Sequence, residues 1–201
     1  MSQTVVFHKI YNKILEIFKE NGYNIILENY VYINGILQIT DKFPDVILIK
    51  LQKGEEIGHI QATIGAEMNV KINNKEEEKD TINITWVGIG EKYRGKGLSY
   101  LLLIFCIMYI YSITQKYEYL TLDDDSDEAG KLEGNLYHKI GFKPVSNSGP
   151  EMQLTYSELY YNSKSIYENI QKYKNKFNKM RGGNRKTRKR RKTRKSRKRR
   201  N

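Results

Sequence analysis

Cysteine, histidine and proline are scarce in this chain. Its 201 residues include one Cys, three His, three Pro and one Trp. A single cysteine, Cys106, inside an apolar run rules out an intramolecular disulfide and fits a reducing compartment. With no second cysteine and only His8, His59 and His138 as imidazoles, no metal site is expected. The start, "MSQTVVFHKIYNK", lacks the charged beginning, apolar centre and small-residue cleavage site of a secretory signal. The longest apolar block, "YLLLIFCIMYIY", is too short for a bilayer span, which takes about 18 residues. The chain therefore reads as soluble and intracellular.

Acid is also missing from one place. Of 35 Lys and Arg, 14 fall in residues 181–201, where there is no Asp or Glu. The remaining 21 basic residues face 23 acidic ones, so the body is close to neutral and the net charge of +12 belongs to the tail. That tail, "RKTRKRRKTRKSRKRR", repeats Arg-Lys-x and has no apolar residue, so burial cannot fold it and disorder is expected. Its charge density suits phosphates without sequence preference and with steep salt dependence. No aromatic is interleaved, so base stacking is not expected. The same composition serves nuclear targeting, virion packaging or mere solubility, and it resembles the basic C-terminal ends of proteins from large DNA viruses. Phosphorylation at Thr187, Thr193 or Ser196 would cut the charge.

The body splits into periodic segments. Val6, Ile10, Ile14 and Ile17 fall near helical spacing, and Asn21-Gly22 offers a stop. Strand-like runs meet at Asn34-Gly35 and at Lys53-Gly54, both hairpin signals. "MNVKINNKEEEKD" reads as a polar loop or hairpin tip, and "TINITWVGI" as an alternating strand; Trp86 on it reads as core rather than acceptor-binding, although the strand could face the substrate. "GLSYLLLIFCIMYIYSITQK" is apolar all round, the mark of a deeply buried helix. "YEYLTLD" is a strand, "EGNLYHKI" a short helix, "MQLTY" a last strand, and 157–180 a polar helix rich in Tyr and Lys. Strands in hairpins followed by a β-α-β crossover imply an α/β or α+β architecture, with helices over a mixed but mostly antiparallel sheet.

Between strand and buried helix lies "EKYRGKGLSYLLL". Glycines at 95 and 97 permit a tight turn and close approach of a ligand, and the amides and dipole at the helix start favour an anion. Arg94 and Lys96 add charge. An ordinary turn before a helix has the same look. Neither the dinucleotide fingerprint nor the P-loop pattern fits.

The segment "VGIGEKYRGKGLSYLLL" resembles the acetyl-CoA loop of the GNAT superfamily of N-acetyltransferases, Arg/Gln-x-x-Gly-x-Gly/Ala after the fourth strand. Here it reads Arg94-Gly95-Lys96-Gly97-Leu98-Ser99. A second block, "YLTLDDDSDEAGKLEGNLYHKIGFKPV", is similar to the family's fifth strand and following helix, through Asn135, Leu136, Tyr137, Lys139, Ile140, Gly141 and Phe142. The resemblance spans about 1–158 and implies a GNAT domain there, with a helical extension at 159–180 and the tail at 181–201. Ser99 departs from the usual Gly or Ala but is small, and the "DDDSDEAGKLEG" loop is longer and more acidic than is typical.

The resemblance implies acetyl-CoA as co-substrate in a cleft where the fourth and fifth strands splay. Residues 94–99 (Arg94, Gly95, Lys96, Gly97, Leu98, Ser99) would hold the pyrophosphate, and Gly88 and Ile89 the pantetheine, with the Ile89 N–H polarising the acetyl carbonyl. Asn135 belongs to the same cofactor set. Tyr137 is the expected general acid, since a phenol of pKa near 10 can protonate a thiolate of pKa about 8.5; it also reads as one tyrosine among 16 packing a short helix. No acid lies on "TINITWVGI". Asp123, Asp124 or Asp125 would then take the amine's proton, or they are solvated loop residues or cap a helix with Ser126. Asp123, Asp125 and Asp127 have calcium-loop spacing, but Glu128 stands where Gly is needed and Gly134 where the bidentate Glu belongs. His138 is expected to be exposed. The acceptor would be a protein lysine, an N-terminus or a small amine; self-acetylation of tail lysines is a further expectation. The rival reading is an inactive GNAT scaffold that binds or packages nucleic acid.

Overall fold

The computed structural model describes residues 2–34, 36–40, 44–124, 135–146 and 149–179. The tail and residues 125–134, with Asp125, Ser126, Asp127, Glu128 and Gly134, lie outside them.

Helix α1 (Gln3–Glu20) buries Phe7, Ile10, Ile14, Ile17 and Phe18 on one stripe. It stops at Asn21, whose amide reaches Ile17 O, and at Gly22 with φ of 71°. Strands β1 (Asn24–Ile33) and β2 (Ile36–Ile39) follow as a hairpin, then β3 (Val46–Lys53), which points Ile47, Ile49 and Leu51 at the helices. Strands β4 (Glu55–Ile72) and β5 (Lys75–Ile89) form a long hairpin. The stretch expected to be a polar loop or hairpin tip is mostly strand, and only Asn73 and Asn74 turn, both at positive φ. Two consecutive left-handed residues make the tight turn whose twist matches its strands. Val70 is fully buried, and the Gln153 side chain both accepts from and donates to the Lys71 backbone.

Helix α2 (Leu98–Ile113) leads to β6 (Tyr119–Asp123), the short α3 (Leu136–Ile140), β7 (Lys143–Pro144), β8 (Glu151–Thr155), α4 (Tyr156–Tyr161) and α5 (residues 163–179). Among the described residues, eight strands form one mixed sheet in the order β2-β1-β3-β4-β5-β6-β8-β7. Every pairing is antiparallel except β5 with β6, which α2 connects.

Twelve of the sixteen α2 residues are buried, which explains its lack of a polar face. The sheet lies on one side, with α1 and α5 against the helix as well. Phe7 meets Tyr111 edge-on and Phe18 meets Phe105, so α1 runs antiparallel to α2. Helix α5, expected as an extension, puts Ile166, Ile170 and Phe177 into the same core as α1 and α2. Lys174 fastens it to Glu16 and Glu20 of α1. Among the described residues no helix is long and apolar enough to cross a membrane, and no cluster of three His, Cys, Asp or Glu is placed to hold a metal.

Candidate functional site

The parallel pair β5–β6 is short. Only Ile82, Asn83 and Ile84 pair with Leu120, Thr121 and Leu122. Beyond that point β5 continues to Ile89 against β4 alone, while β6 ends at Asp123 beside β8. The strands part into a slot, one wall of which is β5 backbone that β6 does not pair.

The register identifies which groups face that slot. The Gly90 N–H donates to Ile57 O at 2.8 Å, which makes 57/90 a hydrogen-bonded pair. Opposed residues alternate in an antiparallel ladder, so His59/Gly88 is hydrogen-bonded too, while Gly58/Ile89 and Ile60/Val87 are not. The backbone N–H and C=O of Val87 and Ile89 therefore point away from β4, into the slot. Gly88 spends its own on His59. Of Gly88 and Ile89, the two residues expected here, Ile89 turns its amide into the slot; Val87 does so as well and was not anticipated.

A bulge sets this phase. Gln61 opposes Trp86 and Ala62 opposes Ile84, leaving Thr85 extra. The expectation of a core Trp86 is corrected: it is 58% exposed and stacks on His59, with ring centroids 6.2 Å apart. Simple alternation would have put Ile82, Ile84 and Trp86 on one face. The extra residue reverses the order after 84, so Val87 and Ile89 take the core side.

The chain then makes one 3₁₀ turn at Glu91–Tyr93 and enters the glycine loop. Arg94 Nε donates to Ile89 O at 3.1 Å, tying loop to strand end. Gly95 and Gly97 adopt φ of 72° and 83°, a region that disfavours a side chain. Gly97 heads α2, and no side chain among the described residues caps the helix. The first four amides of a helix have no partner within it, so those of Gly97, Leu98, Ser99 and Tyr100 are open to an anion at the positive end of the dipole. Around them stand Arg94, Lys96 (its ammonium 4.8 Å from the Tyr93 ring centroid) and Lys176, which donates to Gly95 O. Lys92 pairs with Glu55, whose carboxyl is held below its ordinary value by that bond and by Tyr93.

Helix α5 closes the outer side. The Tyr173 ring lies so near Gly97 that an added Cβ would sit 2.2 Å from it. Lys176 and Tyr173 escaped the sequence reading, since a Tyr- and Lys-rich helix carries no sign of where it packs.

The second block lies at the far side of the slot. Asn135 is buried and caps α3, accepting from the Tyr137 N–H at 2.8 Å. Its amide donates to the buried Asp124 carboxylate at 2.5 Å, and the Asp124 N–H donates to Pro150 O. Both side chains are thus engaged in fixing the start of α3. Asp123 is exposed at the end of β6. Tyr137 is half-buried and meets Phe142 edge-on, with centroids 6.3 Å apart. His138, expected to be exposed, is intermediate and joins Lys139, Lys143 and Asn169 in lining a cleft of about 500 Å³ between α3 and α5.

No family model matches the chain, and no curated protein does. Among solved structures, a mutant of the toxin AtaT bound to the C-terminus of the antitoxin AtaR and acetyl-CoA is 12% identical, with a TM-score of 0.42 over 58% of this chain and 70% of that one. A protein described as a bacterial toxin is 19% identical, with a TM-score of 0.45 over 60% and 73%. An acetyltransferase from Thermus thermophilus is 17% identical, with a TM-score of 0.39 over 56% and 65%.

Proposed function

We propose that the chain is an acetyl-CoA-dependent N-acetyltransferase that moves the acetyl group to an amine bound beside it. One observation carries the proposal: the glycine loop and the uncapped N-terminus of α2 follow directly in the chain on the part of β5 that no strand pairs on its β6 side. Phosphates suit the first two and an amide-bearing arm suits the third. Acetyl-CoA supplies an activated thioester carbonyl.

The amides of 95–99, with Arg94, Lys96 and Lys176 nearby, hold the pyrophosphate end. Val87 and Ile89 offer ladder hydrogen bonds to the pantetheine amides, and the Ile89 N–H steadies negative charge building on the acetyl oxygen. Holding amine and thioester together supplies much of the acceleration. Tyr137 donates the proton that the departing sulfur needs. Asp123, at the slot's mouth, takes the amine's proton through water; Asp124 and Asn135 position α3. The tail binds phosphate polymers and keeps the enzyme on them.

Calorimetric titration of acetyl-CoA into the full chain tests this, at raised salt so that the tail's attraction is screened. Micromolar one-to-one binding is expected, weakened by Arg94→Ala and Gly97→Ala. Heats that vanish with salt and ignore both substitutions would remove the site. A second reading, a scaffold without turnover, is favoured by the absence of an acid on the β5 end and by the engagement of Asp124 with Asn135. Binding without acetyl transfer to any of a panel of amines would select it.

A further inference from the structure

At the opposite edge of the sheet, β2 has no outer neighbour among the described residues. Exposed edges are usually blunted by Lys, Pro, a bulge or an inward charge. Here the strand is Ile-Leu-Gln-Ile, with neither charge nor proline, and its pairing with β1 shows no bulge. Ile36 and Ile39 are 64% and 74% exposed, and Leu37 and the neighbouring Tyr32 and Ile33 are exposed too. Together they leave several hundred Å² of apolar surface open, on the order of what one partner contributes to a standard interface.

The backbone pattern selects the occupant. The Thr40 N–H donates to Asn29 O at 2.9 Å, so 29/40 is a hydrogen-bonded pair, and so are Val31/Gln38 and Ile33/Ile36. Tyr30/Ile39 and Tyr32/Leu37 are not. The N–H and C=O of Leu37 and Ile39 therefore point outward. A second β2 laid antiparallel about a two-fold axis at Gln38 puts Leu37 opposite the partner's Ile39, and Ile39 opposite the partner's Leu37. All four residues then present their backbone groups inward, and four hydrogen bonds close. Leu37 and the partner's Ile39 pack as an apolar cross-strand pair, and the two Gln38 side chains meet across the axis. No charge opposes itself.

We propose that β2 is a homodimer interface, with two copies pairing antiparallel about Gln38 to join their sheets into one. A two-fold contact uses the same patch twice, as this strand permits.

Sedimentation of the full chain over a range of concentrations, at about 0.15 M salt or above to screen the tails, tests it. Twice the 23.7 kDa chain mass is expected. Ile39→Lys, at a site exposed enough to leave the fold intact, should weaken the dimer about tenfold or more. Leu37→Pro removes only an outward N–H, which β1 does not use, and should do the same. Gln38→Cys reports the register. A non-hydrogen-bonded pair sets Cα atoms about 4.5 Å apart, within disulfide reach, so mild oxidation should cross-link two chains. Cys106 is buried and does not compete. A wild-type chain that stays monomeric, or a dimer that survives both Ile39→Lys and Leu37→Pro, overturns the proposal.

Discussion

Gly95 and Gly97 have nearly the same backbone angles, yet alanine should be far costlier at the second. Both sit in the left-handed region, at φ of 72° and 83°, where a Cβ costs roughly 1–2 kcal/mol. Around Gly95 none of the described residues beyond its chain neighbours comes within 4 Å of an added Cβ, while at Gly97 the Tyr173 ring lies 2.2 Å from it. Relieving that overlap moves α5 or the loop, an overpacking cost of ~1–3 kcal/mol. Gly95→Ala should therefore lose about 1–2 kcal/mol and Gly97→Ala about 2–5 kcal/mol. Alanine also stiffens the unfolded chain, but equally at both positions, so the difference stands. With a urea m-value of ~2 kcal/mol/M, the unfolding midpoints of the two variants should differ by about 0.5–1.5 M. Repeating the pair in a Tyr173→Ala background should collapse the difference, a coupling of ~1–3 kcal/mol. If Gly97→Ala costs no more than Gly95→Ala, α5 does not lie against the loop.

Tyr137→Phe should lower turnover at saturating amine by ~100-fold or more with acetyl-CoA affinity kept, as read by initial rates and calorimetry; unchanged turnover removes the proton donor. Burial pushes the Cys106 thiol well above its ordinary value, so alkylation of the native protein should proceed only as fast as it unfolds, followed by mass against urea concentration. Hydrogen bonds from Lys13 and then Lys174 lower the Glu16 carboxyl from 4.5 to about 2. A folded value below the unfolded one gives stability that is complete above about pH 4.5 and lost as pH falls toward 2. Glu16→Gln should flatten that acid limb in denaturant titrations. Ending the chain at 158 would remove four buried side chains, Leu159, Ile166, Ile170 and Phe177, worth roughly 6–12 kcal/mol. That is comparable with a whole domain's stability, so circular dichroism should find that fragment unfolded.

The helices were readable because their apolar residues repeat at helical spacing, or fill every side as in α2, and the mixed sheet followed from the order of elements. The hairpin turns after Asn34 and at Lys53-Gly54 announced themselves through turn chemistry. The far half of the β4–β5 hairpin did not. Its Glu- and Lys-rich strands look like loop until Val70 is buried and Gln153 acts as a partner for Lys71. Trp86 was misplaced because a bulge is a register event between two strands, and "TINITWVGI" alone holds no trace of it. The loop at 94–99 was legible through its glycines and charges. The engagement of Asn135 with Asp124 joins positions eleven apart in the chain, which no spacing rule ranks above its neighbours.

In the proposed site, the contact between α5 and the loop ties ligand affinity to the packing of the helical layer. Open amides at a helix start bind an anion well only if that start is held still, because freedom in the free state must be lost on binding. Here α2 is held by the core along its length, and its first turn is held from outside by Tyr173, Lys176 and the Arg94–Ile89 bond. An anion on those amides and α5 in its seat therefore favour the same arrangement, and each should strengthen the other. A ligand present at a hundred times its dissociation constant stabilises the folded chain by ~2.7 kcal/mol, the size of the Tyr173 overlap worked out above. The same helix that completes the core thus sets how firmly the loop can grip, and loosening α5 at its distant end by breaking Lys174 from Glu16 and Glu20 should cost affinity at a site those residues do not touch.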